Sequence, residues 1–219
     1  MSEKLEKMAD FFDSRVDGYE EHMFKNVDGA TRYYRETALL FPEKPFVLLD
    51  LGCGTGLELD EIFKRCPAAE VTGIDLSEKM LAKLKEKHGD KRLTLIQGSY
   101  FEIDFGRNAF DAVVSVQTMH HFTPQEKLVL YKKIYAALKP SGYYVETDYT
   151  AQDVARERDF REEYRQVFLE QRLAADCYHF DIPCALTTQL RLFKKAGFVG
   201  ACVVGREGNT CIFKAEKRF

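Results

Sequence analysis

From residue 46 onward, short apolar runs typical of strands alternate with segments whose apolar residues recur at helical spacing. A capping box at Thr123 and Glu126 marks the start of one helix, and Pro140 with Gly142 mark its end. This alternation predicts right-handed crossovers and a mostly parallel sheet with helices on both faces. The predicted strands are residues 46–51, 70–75, 92–97, 110–116 and 142–148, and the helices between them are 57–66, 77–88 and 124–138.

The end of the chain has a different pattern. A predicted helix at 187–196 stops at Gly197, and two strand-like runs follow, "FVGACVV" and "NTCIFKAE", separated only by "GREG". A link this short favours an antiparallel pair, because a parallel crossover needs a dozen or more residues. We therefore predict that the sheet ends in a hairpin.

Two segments lie outside the alternation. Residues 3–42 are predicted to form two helices, and in the second segment Thr150 and Asp153 indicate a helix start, followed by apolar residues at helical spacing. The chain is thus divided into a helical cap at 1–45, an α/β core at 46–148, a helical insertion or lid at 149–185 and the end of the core sheet at 186–219.

Composition narrows the class of protein. Hydrophobic residues make up 45% of the chain and its formal net charge is -3, so it can bury a core and shows no basic excess for nucleic acid. We expect no signal peptide and no membrane span, because the longest apolar run, "FVLLDLGC", is far too short. The six cysteines form no CxxC pair and are interpreted as free thiols of a cytoplasmic protein, a monomer or homodimer.

A glycine-rich turn follows the first predicted strand. Gly52, Gly54 and Gly56 stand at every second position, and a helix pattern begins directly after them. Glycines here permit positive φ and close approach of a ligand, while the helix start directs free N–H groups at it. Asp75 ends the next strand, where an acidic side chain can accept hydrogen bonds from a ribose diol. The pattern predicts a ribose-bearing ligand at this edge of the sheet; a turn without a ligand is the alternative.

The spacing of the turn separates two cofactor types. A dinucleotide fingerprint needs G-x-G-x-x-G, and Leu57 stands where its third glycine would fall. The spacing G-x-G-x-G therefore argues against a ligand with a pyrophosphate.

Four stretches together, "VLLDLGCGTG", "VTGIDLSEKML", "FDAVVSVQTMHHF" and "LKPSGYYV", resemble the class I S-adenosylmethionine (SAM)-dependent methyltransferases, and "FFDSRVDGYEEHM" resembles the covering helix of their small-molecule members. The resemblance implies an α/β Rossmann-like fold with a seven-stranded, mostly parallel sheet, a C-terminal antiparallel hairpin and a helical cap. It also implies SAM as cofactor, S-adenosylhomocysteine as product and a small-molecule methyl acceptor.

The resemblance assigns roles to individual residues. Asp50 and the loop at 52–56 would hold the methionine moiety, and Asp75 the ribose hydroxyls. Leu76 and Met80 would pack on the adenine, although a core methionine explains Met80 equally well. Ser99 stands where the family often has an acidic residue for the adenine amino group, so the backbone near Tyr100 is a second candidate.

Two further residues complete the predicted cofactor site. Gln117 follows the fourth strand and would line the methionine pocket, and Tyr19 on the covering helix would close over the sulfonium or the carboxylate. A packing role explains Tyr19 nearly as well.

The candidates for a general base are His120 and His121, which follow the fourth strand at the ligand-binding edge of the sheet. Hydrogen bonds that anchor the loop are the alternative role. Cys177, His179 and Cys184 do not have zinc-site spacing, so no metal is predicted. Aromatic residues around them could form an acceptor pocket or pack the lid on the core, and the charge run "RERDFREEYRQ" indicates a solvated helix face.

The sequence therefore predicts a SAM-dependent methyltransferase acting on an N, O or S atom of a small molecule. Three alternatives remain open: a SAM-binding sensor or scaffold without turnover, an enzyme that converts or uses a modified SAM in RNA modification, and a nicotinamide-dependent oxidoreductase. A modified SAM with an extra negative group would need an arginine, for which Arg15, Arg32 and Arg35 are candidates.

Overall fold

A computed structural model describes residues 4–173 and 176–218. Residue 3 of the predicted segment 3–42 and residues 174–175 of the predicted insertion at 149–185 lie outside the described residues. The strands are β1 (Val47–Leu51), β2 (Glu70–Asp75), β3 (Arg92–Gln97), β4 (Phe110–Val116), β5 (Leu138–Tyr149), β6 (Val199–Glu207) and β7 (Thr210–Glu216). The helices are α1 (Met8–Asp13), α2 (Val16–Asn26), α3 (Ala30–Ala38), α4 (Leu57–Arg65), α5 (Glu78–His88), α6 (Pro124–Ala137), α7 (Val154–Glu170) and α8 (Leu186–Ala196), with a 3₁₀ turn at Met119–His121.

The seven strands form one sheet in the order β3-β2-β1-β4-β5-β7-β6. Strands β1 to β5 pair in parallel, and β7 pairs antiparallel with both β5 and β6. This confirms the predicted fold class, including the antiparallel hairpin. The strand order reverses between β1 and β4, which in an open α/β sheet opens a crevice at the carboxyl ends of those strands.

Two apolar clusters pack on the two faces of the sheet. Successive residues of β1 point to opposite faces, so that Leu48 belongs to one cluster and Leu49 to the other. One cluster includes residues of α3, α4 and α5, and the other those of α6 and α8. Both faces of the parallel strands are therefore buried, as a sheet with helices on both sides requires.

The structure corrects two predicted boundaries. The N-terminal region forms three helices rather than two, because the chain breaks at Ser14–Arg15 and again at Gly29, whose φ of 74° is a left-handed conformation. Helix α6 ends at Ala137, within one residue of the predicted end, but the fifth strand begins at Leu138 rather than at 142, so Pro140 and Gly142 lie inside β5.

The helical cap is joined to the segment after α7 by backbone pairing. Met8 N–H donates to the Cys177 carbonyl at 2.9 Å, and His179 N–H donates to the Glu6 carbonyl at 3.0 Å. Farther along the same segment, Ile182 N–H donates to the His120 carbonyl at 2.7 Å. Residues 177–182 therefore connect α1 to the loop after β4. None of the described helices is both long and apolar enough to span a bilayer.

Candidate active site

The glycine loop joins β1 to α4 beside the crevice between β1 and β4. Gly52, Gly54 and Gly56 all have positive φ, at 75°, 47° and 79°, which side chains other than glycine rarely adopt. A Cβ on Gly52 would stand 2.5 Å from Thr118 Oγ1, so protein atoms crowd that position. A Cβ on Gly54 would meet only a carbonyl 3.9 Å away, so this glycine borders open space. The loop thus exposes its backbone at Gly54.

Asp75 is held at the end of β2 by two backbone donors. Its Oδ2 accepts from Gly54 N–H at 2.9 Å and its Oδ1 from Ser77 N–H at 2.8 Å. Burial raises the pKa of this carboxyl, and the backbone donors partly offset that effect. Each oxygen keeps a further lone pair, so Asp75 can accept additional hydrogen bonds from a hydroxyl pair beside Gly54.

Asp50 lies behind the loop and is buried. Neither of its carboxylate oxygens has a hydrogen-bond partner among the described residues, and the same holds for Oε1 of Glu58 and Oγ1 of Thr55. Burial raises the pKa of Asp50 to about 7, with the neighbouring Glu58 carboxyl opposing the shift and the nearby Asp75 charge adding to it. Unpartnered buried acceptors are costly, so this cluster is suited to a cationic donor such as an ammonium group.

The raised pKa of Asp50 makes the stability of the protein depend on pH. Between pH 3.8 and about 7 the folded state binds a proton that the unfolded state has lost, so stability falls as pH rises. In Asp50→Asn we expect the free energy of unfolding to fall by on the order of 4 kcal/mol less over that pH range than in the parent protein, as measured by urea unfolding.

Asp111→Asn is the control for that prediction. Burial acts to raise the pKa of Asp111, but Lys139 and the Val47 N–H lower it overall. Ionisation of Asp111 therefore stabilises the protein as pH rises, which is the opposite of the effect expected for Asp50. If the free energy of unfolding of Asp50→Asn falls with pH as steeply as that of the parent protein, the raised pKa of Asp50 is wrong.

A first cavity, called the inner cavity, lies between the glycine loop and the helical cap and measures about 50 Å³. Leu76 and the buried Met80 form one wall of it, and Met8 with Cys177 contribute from the cap side. Eight of the predicted cofactor residues line the inner cavity: Tyr19, Gly52, Gly54, Asp75, Leu76, Met80, Tyr100 and Gln117. Three do not: Asp50 lies behind the loop, Gly56 packs on Leu84, and the hydroxyl of Ser99 accepts from Phe101 N–H.

A second cavity of about 920 Å³, called the outer cavity, adjoins the inner one. Its wall includes His120, Tyr149, Asp181 and Glu207. Four side chains line both cavities and form their boundary: Phe12, Tyr19, Gln117 and His121. Gln117 has φ 52°, an unusual conformation for this residue, and strained backbone of this kind is common at functional sites.

His120 is fixed between two carboxylates. Its Nδ1 lies 2.5 Å from Asp148 Oδ1, its backbone N–H donates to Asp148 Oδ2 at 2.8 Å, and its Nε2 lies 3.4 Å from Asp181. Burial opposes protonation, but the two carboxylates raise the pKa of His120 to about 9. An imidazole already protonated near neutral pH cannot accept a proton, so the structure argues against His120 as a free general base and favours the alternative of an anchoring role.

His121 has a different environment. Its Nδ1 lies 3.2 Å from the Phe180 carbonyl and 3.3 Å from Asp181 Oδ1, and its ring contacts His120 at a centroid distance of 4.0 Å. Burial and the charge on His120 lower its pKa. His121 is therefore a neutral imidazole at the boundary of the two cavities.

Some aromatic residues of the insertion pack on one another, and another lines the outer cavity. The Tyr164 ring contacts those of Phe168 and Phe180 in tilted arrangements, and none of the three lines either cavity, which favours a packing role for them. Tyr149 does line the outer cavity. The metal-type residues of the same region are dispersed: Cys177 lines the inner cavity, His179 stacks on Phe11 at 3.5 Å, and Cys184 is buried in the core.

The arginine candidates do not lie at the inner cavity. Arg15 lines the outer cavity and pairs with Glu6, while Arg32 pairs with Glu36 and Glu207 at the surface. Arg35 is exposed, and the described lining of the inner cavity contains no arginine or lysine. The structure thus offers no support there for a modified SAM with an extra negative group.

Sequence analysis missed Asp148, Asp181 and Glu58. Asp148 stands at the carboxyl end of β5, the position that drew attention to Asp75, so the same argument could have found it. Asp181 lies in an irregular segment, and only tertiary structure brings it to the histidines. Glu58 is in the first turn of α4, where an acidic residue is common without any function.

Comparison with known proteins gives the same assignment as the fold and the glycine loop. Residues 48–142 match the methyltransferase domain family. The chain is 28% identical over 131 residues to the malonyl-[acyl-carrier protein] O-methyltransferase of Priestia megaterium, covering 60% of this chain and 47%, about half, of that protein. It is 29% identical over 206 residues to an uncharacterized methyltransferase of Geobacillus sp., covering 89% of this chain and 87% of that one.

A solved structure extends the similarity to the whole described fold. Phosphoethanolamine N-methyltransferase 2 of Haemonchus contortus, in complex with SAM, superposes with a TM-score of 0.74 at 20% identity, covering 100% of this chain and 62% of that one. Sheet order, glycine loop and matched domain agree. The chain is thus similar to the class I S-adenosylmethionine-dependent methyltransferases in sequence over residues 48–142 and in fold along its whole length.

Proposed function

We propose that this protein transfers a methyl group from SAM, held at the glycine loop, to a small molecule held in the outer cavity. The observation that carries the proposal is the shared boundary of the two cavities at Phe12, Tyr19, Gln117 and His121. A group bound on one side of that boundary lies within reach of a molecule on the other side. Positioning two reactants in this way is the main requirement for methyl transfer.

The residues of the inner cavity fit the parts of SAM. Asp75 is proposed to accept from the ribose hydroxyls, and Leu76 with Met80 to pack on the adenine. The unpartnered acceptors of Asp50 suit the amino group, reached directly or through water. When bound, SAM supplies a methyl group already activated on a sulfonium, so the chain has to orient the acceptor and exclude water.

The cap is proposed to move when the cofactor enters. Ligand pockets generally measure about 300 to 1,000 Å³, and the inner cavity, at about 50 Å³, is smaller. Met8, Phe12 and Tyr19 close it from the cap side. Opening of α1 and α2 would admit SAM, and closure would exclude water from the reacting groups.

The acceptor is proposed to contact the histidine pair. Tyr149 and His121 offer polar groups on the wall of the outer cavity, which is large enough for a small organic molecule. The relatives named above carry the names of O- and N-methyltransferases, so they support a small-molecule acceptor without selecting its atom.

Calorimetry and turnover test the proposal. We expect SAM and S-adenosylhomocysteine to bind and NADH not to bind, and we expect S-adenosylhomocysteine to form when a panel of phenols, carboxylates, amines and thiols is supplied. Tight SAM binding without turnover over the whole panel would favour a sensor or scaffold. Binding of NADH alone would favour an oxidoreductase.

A pair of glycines supplies matched variants for that test. Gly54 and Gly200 both have positive φ, 47° and 60°, and at neither would a new Cβ meet an atom closer than 3.9 Å. Both alanine variants therefore carry similar backbone strain, about 1 kcal/mol. Only Gly54 lines the inner cavity, so we expect Gly54→Ala to weaken SAM binding at least about tenfold and Gly200→Ala to leave it unchanged. Equal SAM affinities in the two variants would contradict the cofactor site.

A further inference from the structure

Three metal-type ligand atoms converge on the wall of the outer cavity. Asp181 Oδ1 lies 3.4 Å from His120 Nε2 and 3.3 Å from His121 Nδ1, and one ligand atom from each residue falls within 4.8 Å of the others. The two histidines are adjacent in the 3₁₀ turn after β4, and Asp181 comes from the segment after α7. Two imidazoles and one carboxylate are a ligand set typical of first-row transition metals.

The distances fit metal ligands better than hydrogen bonds. An N–H···O bond is normally about 2.9 to 3.0 Å long, and Asp181 Oδ1 makes no hydrogen bond of acceptable geometry although it is buried. Ligand bonds of about 2.0 to 2.1 Å around a tetrahedral ion place neighbouring ligand atoms about 3.3 to 3.4 Å apart. The distances from Asp181 Oδ1 to His120 Nε2 and to His121 Nδ1 match this spacing of neighbouring ligand atoms.

Surrounding groups hold the ligands in place. Asp148 binds the Nδ1 of His120 at 2.5 Å, leaving Nε2 of the same ring directed at Asp181. A carboxylate on the far nitrogen of a histidine is the usual support of a metal ligand, since it fixes the tautomer and the ring orientation. Ile182 N–H donates to the His120 carbonyl at 2.7 Å, which fixes the chain next to Asp181.

We propose that His120 Nε2, His121 Nδ1 and Asp181 Oδ1 bind one divalent transition-metal ion, which displaces the Nε2 proton of His120 to solvent and keeps its remaining coordination positions open to the outer cavity. The sequence analysis predicted no metal from the spacing of Cys177, His179 and Cys184, and no spacing motif connects Asp181 to His121, 60 residues away. His121 Nδ1 also lies 3.2 Å from the Phe180 carbonyl, a long contact that the ion would replace.

The open positions give the ion a use in the proposed function, and this part of the inference depends on that function. An oxygen of the acceptor bound to the ion would be held beside His121, one of the residues on the boundary with the inner cavity. A metal also lowers the pKa of a bound hydroxyl, which would take the place of a general base. The acceptor would then belong to the class of hydroxyl- or carboxylate-bearing chelators.

Cobalt(II) is the probe, because its visible spectrum reports nitrogen and oxygen coordination. We expect the chelator-treated protein to bind one Co²⁺, and Asp181→Asn and His121→Gln each to weaken binding at least about 100-fold. His22→Gln is the matched control, since this exposed histidine also lines the outer cavity but lies outside the cluster. Azide should shift the Co²⁺ spectrum if coordination positions are open. Circular dichroism checks that each variant is folded.

Two outcomes would overturn the proposal: no Co²⁺ binding tighter than millimolar, or binding that Asp181→Asn and His121→Gln leave unchanged while His22→Gln weakens it. SAM affinity measured on the same samples separates this inference from the proposed function. If SAM binds normally and Co²⁺ does not, only the metal site is wrong. If Co²⁺ binds and SAM does not, the metal site stands and the methyltransferase proposal fails.

Discussion

Asp75→Ala is expected to weaken SAM binding about 100-fold. A hydrogen bond to a charged group contributes about 1.5 to 3 kcal/mol, and two ribose hydroxyls on one carboxylate would contribute roughly 3 kcal/mol or more. The carboxyl also accepts from Gly54 and Ser77 N–H, so its loss loosens the loop that faces the ligand. Isothermal titration of SAM and S-adenosylhomocysteine measures the effect.

Three controls isolate the ribose contact. Asp75→Asn keeps one acceptor oxygen and should lose only about tenfold, as expected for one remaining neutral hydrogen bond. Glu70→Gln, at the opposite end of β2, should bind SAM normally. An S-adenosylhomocysteine analogue without ribose hydroxyls should lose much less affinity than SAM between the parent protein and Asp75→Ala, because only the loosened loop affects its binding. If Asp75→Ala retains the parental affinity for SAM, the ribose assignment is wrong.

The sheet was predictable because its signals are local. The strand β3 (Arg92–Gln97) and the start of α6 after Thr123 follow from alternating apolar residues and a capping box, which act within a few positions of the chain. The same is true of the glycine loop, where the spacing of three glycines argued against a dinucleotide. Such features need no knowledge of which segments meet in space.

The boundaries failed where local signals competed with sheet pairing. Pro140 and Gly142 resemble a helix stop, but they occur in β5, where Ser141 adopts φ 64° and the pairing with β4 is irregular. Leu138 pairs with β4 before these residues, and Tyr143 pairs with β4 and β7 after them, so sheet pairing on both sides makes the turn-like segment part of β5. A sequence pattern does not contain that contribution.

The chemistry of the histidines was the least predictable part. Their position after β4 identified them as candidates, but their roles depend on Asp148 and Asp181, which are 28 and 61 residues from His120. Buried carboxylates of this kind change an imidazole from a free base into an anchor or a ligand. Only the packing of the 177–182 segment against the loop after β4 reveals this.

Asp148→Ala is expected to destabilise the protein by about 3 to 5 kcal/mol, because it removes the buried carboxylate that binds His120 Nδ1. Asp148 is 1% exposed and accepts from the backbone N–H groups of His120 and Tyr149 as well as binding the imidazole. Loss of the side chain leaves all three groups unsatisfied. Urea unfolding in the presence of EDTA measures the change without a contribution from bound cations.

A surface ion pair and a double variant show whether burial causes the effect. Glu162→Ala breaks an exposed pair with Arg165 and should cost less than about 1 kcal/mol. His120→Gln combined with Asp148→Ala should cost at least about 1 kcal/mol less than the sum of the single variants, because each removes the same interaction. Strict additivity, or a loss in Asp148→Ala no larger than in Glu162→Ala, would show that the pair does not organise the loop after β4.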